Sequence, residues 1–286
     1  MKRATIYSCA SEYLATIGGA WILSWQLLFF YIPLVFVVLL SLSGDSWTDT
    51  FLSFFTSVYV RIIARSLVMA LGTAITCLAI AYPFAYFLVF RAGRLLNLLL
   101  FLVMLPFWTN FLLHICAWFF VLDRQGVLSH ALQYLGIMSE PLNILNGVGA
   151  IGIMMVYFYL PFMILPLYAA LDRFDKRLIE ASLDLGASWR QTVIRILLPL
   201  TASGIRVGFL LVFIPAFGEF AIPEFMGGDR TLFVGSVITH FILGTESSVA
   251  GAAFTLISSA VLVCAVALLY MMIGLCIPKN LDEGVL

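Results

Sequence analysis

Apolar residues run in long uninterrupted stretches along this chain. Six stretches stand out: Trp21–Leu42, Ser66–Phe90, Leu95–Leu122, Gly147–Leu171, Ile205–Phe225 and Val249–Ile277. About 20 residues of helix cross a bilayer core, so each stretch predicts a spanning helix. The fifth is interrupted by Pro215, Glu219, Pro223 and Glu224. Membrane strands alternate apolar and polar residues over about 10 positions, and these runs do not alternate. The pattern therefore predicts an all-α integral membrane protein with six transmembrane helices. No long linker or low-complexity stretch divides residues 1–286, so a single membrane domain is expected.

Composition agrees with the pattern. Hydrophobic residues make up 63% of the chain and charged residues 10%, where a soluble domain is about half apolar and about a quarter charged. Fifteen basic residues balance fifteen acidic ones, which gives no basic excess for nucleic acid. The five cysteines (Cys9, Cys77, Cys116, Cys264 and Cys276) are scattered and form no CxxC pair. His114, His130 and His240 stand apart from one another. No metal site and no catalytic cluster is expected. Lys2 and Arg3 precede the first stretch as in a secretory signal, but the apolar run is too long and no small-x-small cleavage site follows; it is expected to remain as the first span.

Charge sets the expected orientation. With the amino terminus in the cytoplasm, eleven of the fifteen Lys and Arg fall on the cytoplasmic side, leaving Arg61, Arg65, Arg124 and Arg230 outside. The positive-inside rule then places both termini in the cytoplasm.

The connection from Asp172 to Gly204 is charged and patterned. Leu178, Ala181, Ser182 and Leu185 fall at i, i+3, i+4 and i+7, one face of a helix. Asp175 is its expected N-cap, and Gly186 stands where a left-handed residue ends a helix. Ser188 and Gln191 have capping-box spacing for a second helix, whose stripe is Val193, Ile196, Leu197 and Leu200. Periodicity alone fits equally an amphipathic connector lying on the membrane surface.

A longer motif overlies this pattern. Glu180-Ala181, then Gly186, then Ile196-x-Leu198-Pro199 has the spacing of EAA, three residues, G, nine residues, I-x-L-P. It resembles the EAA motif of permease subunits of bacterial ABC importers, with Ser182 in place of the second Ala. The resemblance implies the type I importer permease architecture and a coupling helix that docks on an ATPase subunit. Its contact would be centred on Glu180, Ala181, Ser182 and Gly186, with Leu178, Asp184 and Leu185 around them. The chain has no GxxxxGK[ST] loop for nucleotide phosphates, so it is not expected to be an enzyme. ATP and Mg would be used by the partner, and no cofactor is expected on this chain.

Further segments extend the resemblance from about Leu67 to Gly235. They include Pro106-Phe107-Trp108-Thr109-Asn110, Leu160-Pro161-Phe162-Met163, Ile214-Pro215-Ala216-Phe217-Gly218-Glu219-Phe220 and Met226-Gly227-Gly228. Together they are similar to the first permease subunit of spermidine/putrescine importers. That family implies a bacterial inner-membrane location, a second permease subunit, two ATPase subunits and a periplasmic polyamine-binding protein, working by alternating access.

Residue chemistry is compatible with a cationic cargo. Glu219 and Glu224 lie in or near the fifth stretch, where a charge costs about 2.5–3.5 kcal/mol on insertion scales and normally faces a cavity or partner. Trp108, Trp118, Tyr157 and Tyr159 offer faces that attract ammonium groups, or pack against lipid and neighbouring helices. No Lys or Arg lies deep in stretches three to six, as an anion pathway would favour. Other cargoes on the same architecture, such as ferric iron or thiamine, and a secondary transporter or channel remain alternatives at this point.

Overall fold

The computed structural model describes residues 21–276 apart from 22, 45, 137–144, 146, 229–230 and 245–246. Both termini, with Lys2, Arg3 and Lys279, and Arg230 lie outside the described residues.

All regular structure among the described residues is helical. Five helical segments are long and apolar enough to cross a membrane, one of them the run Phe111–Tyr134, which is interrupted at residues 123–126, and a sixth span results if one bent pair counts as a unit. In chain order the helices are α1 (Leu23–Leu42), α2 (Trp47–Ser53), α3 (Ser57–Phe90), α4 (Leu96–Trp108), α5 (Phe111–Leu122), α6 (Val127–Tyr134) and α7 (Val148–Asp172). There follow α8 (Arg177–Asp184), α9 (Trp189–Leu200), α10 (Ala202–Phe217), α11 (Ala221–Met226), α12 (Val234–Leu243) and α13 (Ser248–Cys276).

Packing divides the chain into two units, Met1–Thr56 with His240–Ile257, and Ser57–Thr239 with Ser258–Leu286. In the first, Phe54 packs against Phe241 and Phe254, with ring centroids 5.9 and 5.2 Å away. Phe29, Phe30 and Phe36 of α1 are exposed.

The second unit is built on α3, α7 and α10, which pack on one another. Small side chains make this close approach possible, as is usual for helices in lipid. Ala70, Ala74, Cys77, Ala81 and Ala85 form a buried stripe on α3. Gly204 and Gly208 of α10 lie hard against α7: a Cβ on Gly204 would sit 2.8 Å from the Pro166 carbonyl, and one on Gly208 would sit 2.9 Å from the Met163 sulfur. The α7 helix runs through Pro161 and Pro166 without interruption.

Three boundaries differ from the sequence expectation. The second span starts at Ser57 and takes Arg61 and Arg65 into its helix. The third stretch is broken at Thr109–Asn110 into α4 and α5. Asn110 caps α5 by accepting the Leu112 N–H at 2.8 Å, and the Thr109 hydroxyl donates to the Pro106 carbonyl at 3.1 Å. The fifth stretch stops at Phe217, and α11 begins after a gap at residues 218–220. At its other end α10 meets α9 at a bend of 69°. Thr201 sits in this elbow, fully buried. Its hydroxyl donates to the Leu197 carbonyl at 2.7 Å and lies 3.1 Å from the Tyr82 hydroxyl of α3.

Candidate coupling surface and translocation site

The connection after α7 folds as two helices joined by a tight turn. Gly186 has φ +82°, the left-handed conformation that its position predicts. Its N–H donates to the Leu183 carbonyl at 2.9 Å, and the Ala187 N–H donates to the Ser182 carbonyl at 3.1 Å, the paired bonds of a Schellman turn. The Ser188–Gln191 capping box is complete: Ser188 N–H donates to Gln191 Oε1 at 2.9 Å, and Gln191 N–H to Ser188 Oγ at 3.4 Å.

Two details depart from the expectation. The helix starts at Arg177, whose N–H donates to Asp175 Oδ1 at 3.0 Å, so Asp175 caps from one position further out. The buried face of α8 consists of Ile179 and Ser182, while Leu178, Glu180, Ala181, Asp184 and Leu185 are exposed. The apolar stripe inferred from Leu178, Ala181, Ser182 and Leu185 therefore splits: Ser182 turns inward and the other three turn outward. Leu185 is 89% exposed, an unusual position for a leucine outside lipid. In α9 a widened π-helical turn at Val193–Leu197 shifts the periodicity, and of the expected stripe only Leu197 is fully buried. Trp189 at its start stands edge-on to Tyr86 of α3, 5.7 Å between centroids. The Lys176 ammonium reaches the Val89 carbonyl at 3.4 Å and the Phe90 ring at 5.1 Å.

At the other end of α10, Glu219 lies in the gap before α11 rather than within a helix. Tyr159 of α7 donates its hydroxyl proton to Glu219 Oε2 at 2.6 Å. Glu219 Oε1 accepts the N–H groups of Ala221 and Ile222 at 3.0 and 3.5 Å. The carboxylate thus caps α11 and ties it to α7. Across the same gap, a Cβ on Gly235 of α12 would meet the Gly218 carbonyl oxygen at 2.4 Å and that of Glu219 at 2.8 Å. Ser66 of α3 accepts the Val234 N–H at 2.9 Å. The gap is held from three helices.

The other aromatic candidates are placed separately. The Tyr157 hydroxyl is hydrogen-bonded to His114 Nδ1 at 3.0 Å, and its ring lies 5.3 Å from the Trp118 ring. His114 Nε2 also bonds the Thr109 hydroxyl, so a histidine expected to be isolated joins the break in the third stretch to α7. Trp108 is 74% exposed and packs on Phe101. Glu224 is exposed on α11. The structure brings Tyr159 and Glu219 together. Sequence reasoning missed His114, Thr109 and the two backbone N–H donors. Among the described residues no three His, Cys, Asp or Glu are grouped to hold a metal ion.

The profile of the family described as "Binding-protein-dependent transport system inner membrane component" matches residues 10–276. The chain belongs to this family. It is a multi-pass inner-membrane permease subunit of a transport system. The spermidine/putrescine transport system permease protein PotB of Escherichia coli K12 is 39% identical over 241 residues, covering 81% of this chain and 88% of that protein. PotB of Haemophilus influenzae is 41% identical over 226 residues, covering 76% and 79%. Among solved structures, a bacterial ABC transporter that imports the acidic polysaccharide alginate superposes with a TM-score of 0.69 at 17% identity, covering 96% of this permease and 98% of that chain. The likeness extends to the permease fold.

Proposed function

We propose that this permease imports polyamines, spermidine or putrescine, as one half of a heterodimeric pathway in an ABC importer. The observation that carries the reading is the 39–41% identity to PotB proteins over three quarters or more of the chain. In this reading a second permease completes the path, a periplasmic polyamine-binding protein delivers cargo, and two ATPase subunits hydrolyse ATP with Mg. Both termini are cytoplasmic, and α8 is the docking helix: Leu178, Glu180, Ala181, Asp184, Leu185 and Gly186 form its outer surface. Docked against the ATPase, the exposed leucines leave water. Closure of the ATPase pair moves α8, and the motion passes through α9 into α10. On the path, Glu219 supplies negative charge, with Tyr159 and Tyr157 beside it and Glu224 and Trp108 toward the outer entrance.

The test is uptake. The complete transporter is expressed in cells that lack their own polyamine importers, and radiolabelled spermidine, putrescine, thiamine and ferric iron are supplied in parallel. Saturable, ATP-dependent accumulation of a polyamine, lost when this permease is omitted, is expected. Accumulation of thiamine or iron without polyamine overturns the cargo.

A further inference from the structure

Helix α8 is attached to the rest of the chain by little. It has eight residues, and of these only Ile179 and Ser182 are buried. A cleft of about 420 Å³, lined by Leu178 and Arg173 on one side and Gly204 and Val207 on the other, separates it from α10. A displacement of α8 can reach α10 by way of α9, or through α7, which α8 follows after residues 173–176 and which packs on α10. Between α8 and α9 lies Gly186, whose added Cβ would meet nothing within 4 Å. The turn at Gly186 is held by two main-chain bonds and has no side chain of its own to pack against α9, so its stiffness depends on contacts between the two helices.

One side-chain contact adds to the main-chain bonds of this turn. Ser182 Oγ lies 2.5 Å from Thr192 Oγ1, with Ser182 6% exposed and Thr192 1% exposed. Thr192 donates its proton to the Ser188 carbonyl at 3.3 Å, which leaves Ser182 as the donor to Thr192. A mid-helix serine commonly bonds back to its own helix; here the hydroxyl crosses to the next helix. Ser182 thus holds the turn twice, by its carbonyl to the Ala187 N–H and by its hydroxyl to Thr192. This is the position where the EAA pattern has its second Ala.

We propose that Ser182 and Thr192 form a two-hydroxyl staple that makes α8 and α9 one rigid lever. The staple converts ATPase motion into movement of α10. This inference rests on reading α8 as the docking helix. Ser182 is a positioning residue in it, because its hydroxyl faces inward, away from any docked subunit.

The experiment uses the complete transporter in proteoliposomes and reads two quantities: ATPase retained on purification, and polyamine imported per ATP hydrolysed. Ser182→Ala and Thr192→Val should retain the ATPase while import per ATP falls about three- to tenfold, the range of one buried neutral hydrogen bond. The two should lose coupling to a similar degree, since the Thr192 proton keeps the Ser188 carbonyl in Ser182→Ala and the Ser182 hydroxyl can turn back to its own helix in Thr192→Val. A paired Ser182→Cys, Thr192→Cys variant, with the native cysteines replaced by serine, supplies the control. Sulfurs at the two oxygen positions are within bonding reach. Oxidation should restore import per ATP, and reduction should abolish the gain. Loss of the ATPase from Ser182→Ala would make Ser182 a docking contact and overturn the staple. So would wild-type import per ATP in both single variants, failure of the paired variant to cross-link, or equal coupling before and after reduction. Failure of the docking reading itself shows elsewhere, as ATPase retained in a Leu185→Asp variant on the exposed face.

Discussion

At the scale of single residues, Glu219 has the most to say. The sequence placed it inside a spanning helix with a carboxylate facing water or a cation. It stands instead beyond the end of α10, holding one hydroxyl and two N–H donors. These contacts satisfy an anionic side chain with neutral groups and leave its charge uncancelled, which is compatible with attraction for an ammonium group. Two substitutions separate the structural part from the electrostatic part. Tyr159→Phe removes one donor and no charge, and should weaken the gap by about 1 kcal/mol while uptake persists at a raised KM. Glu219→Gln keeps the shape, lets its one oxygen serve the N–H groups and removes the charge. Its polyamine uptake should fall at least about tenfold, the equivalent of 1.4 kcal/mol, with assembly and basal ATP hydrolysis near wild type. Radiolabelled uptake and ATPase assays on both variants decide it, and equal modest losses in the two would reduce Glu219 to a helix cap.

At the scale of elements, what could be read in advance was whatever local chemistry fixes. The Ser188–Gln191 capping box and the left-handed Gly186 each need only a few neighbouring residues, and both stood in the sequence. Breaks inside apolar stretches were illegible. Phe107-Trp108 and Phe111-Leu112 are as apolar on one side of Thr109–Asn110 as on the other, so hydropathy ran straight through, although Pro106 and Asn110 supply a stop and a start signal. The direction of the α8 stripe was misread because a period of 3.6 identifies a face without saying which neighbour covers it. His114 and Thr192 were hidden for another reason: their partners come from other helices or from across a break. Two predictions belong here. Gly186→Val forces a β-branched residue to φ +82°, at a cost of about 1–2 kcal/mol, and should release the ATPase on co-purification while membrane insertion proceeds. Gly235→Ala drives a methyl into two backbone carbonyls and should lower the melting temperature of the purified complex by an overpacking cost of about 1–3 kcal/mol. Gly72→Ala, inside α3 where nothing lies within 4 Å, should instead raise the melting temperature, since Ala in a helix interior is about 0.5–1 kcal/mol better than Gly.

At the scale of the whole molecule, the described residues hold five spans, or six with the bent pair counted as one, and the orientation rests on the charge distribution alone. In a background without native cysteines, Arg177→Cys should stay unlabelled by a membrane-impermeant thiol reagent in intact spheroplasts, and Gln125→Cys should be labelled. The opposite pattern would invert the permease and put α8 out of reach of any cytoplasmic ATPase.

The 69° angle between α9 and α10 governs what kind of motion a docking helix can deliver. Two collinear helices would act as a piston, and thrust along one would slide the other through the bilayer, dragging polar ends into hydrocarbon. Near a right angle the same thrust arrives as a sideways swing, with Thr201 as the fulcrum and Tyr82 holding the fulcrum to α3. A swinging helix keeps its depth in the membrane and changes only its tilt, so its far end, where Phe217 gives way to Glu219, sweeps the widest arc. With α8 docked as proposed, this crank would produce its largest movement beside the carboxylate and its smallest at the elbow.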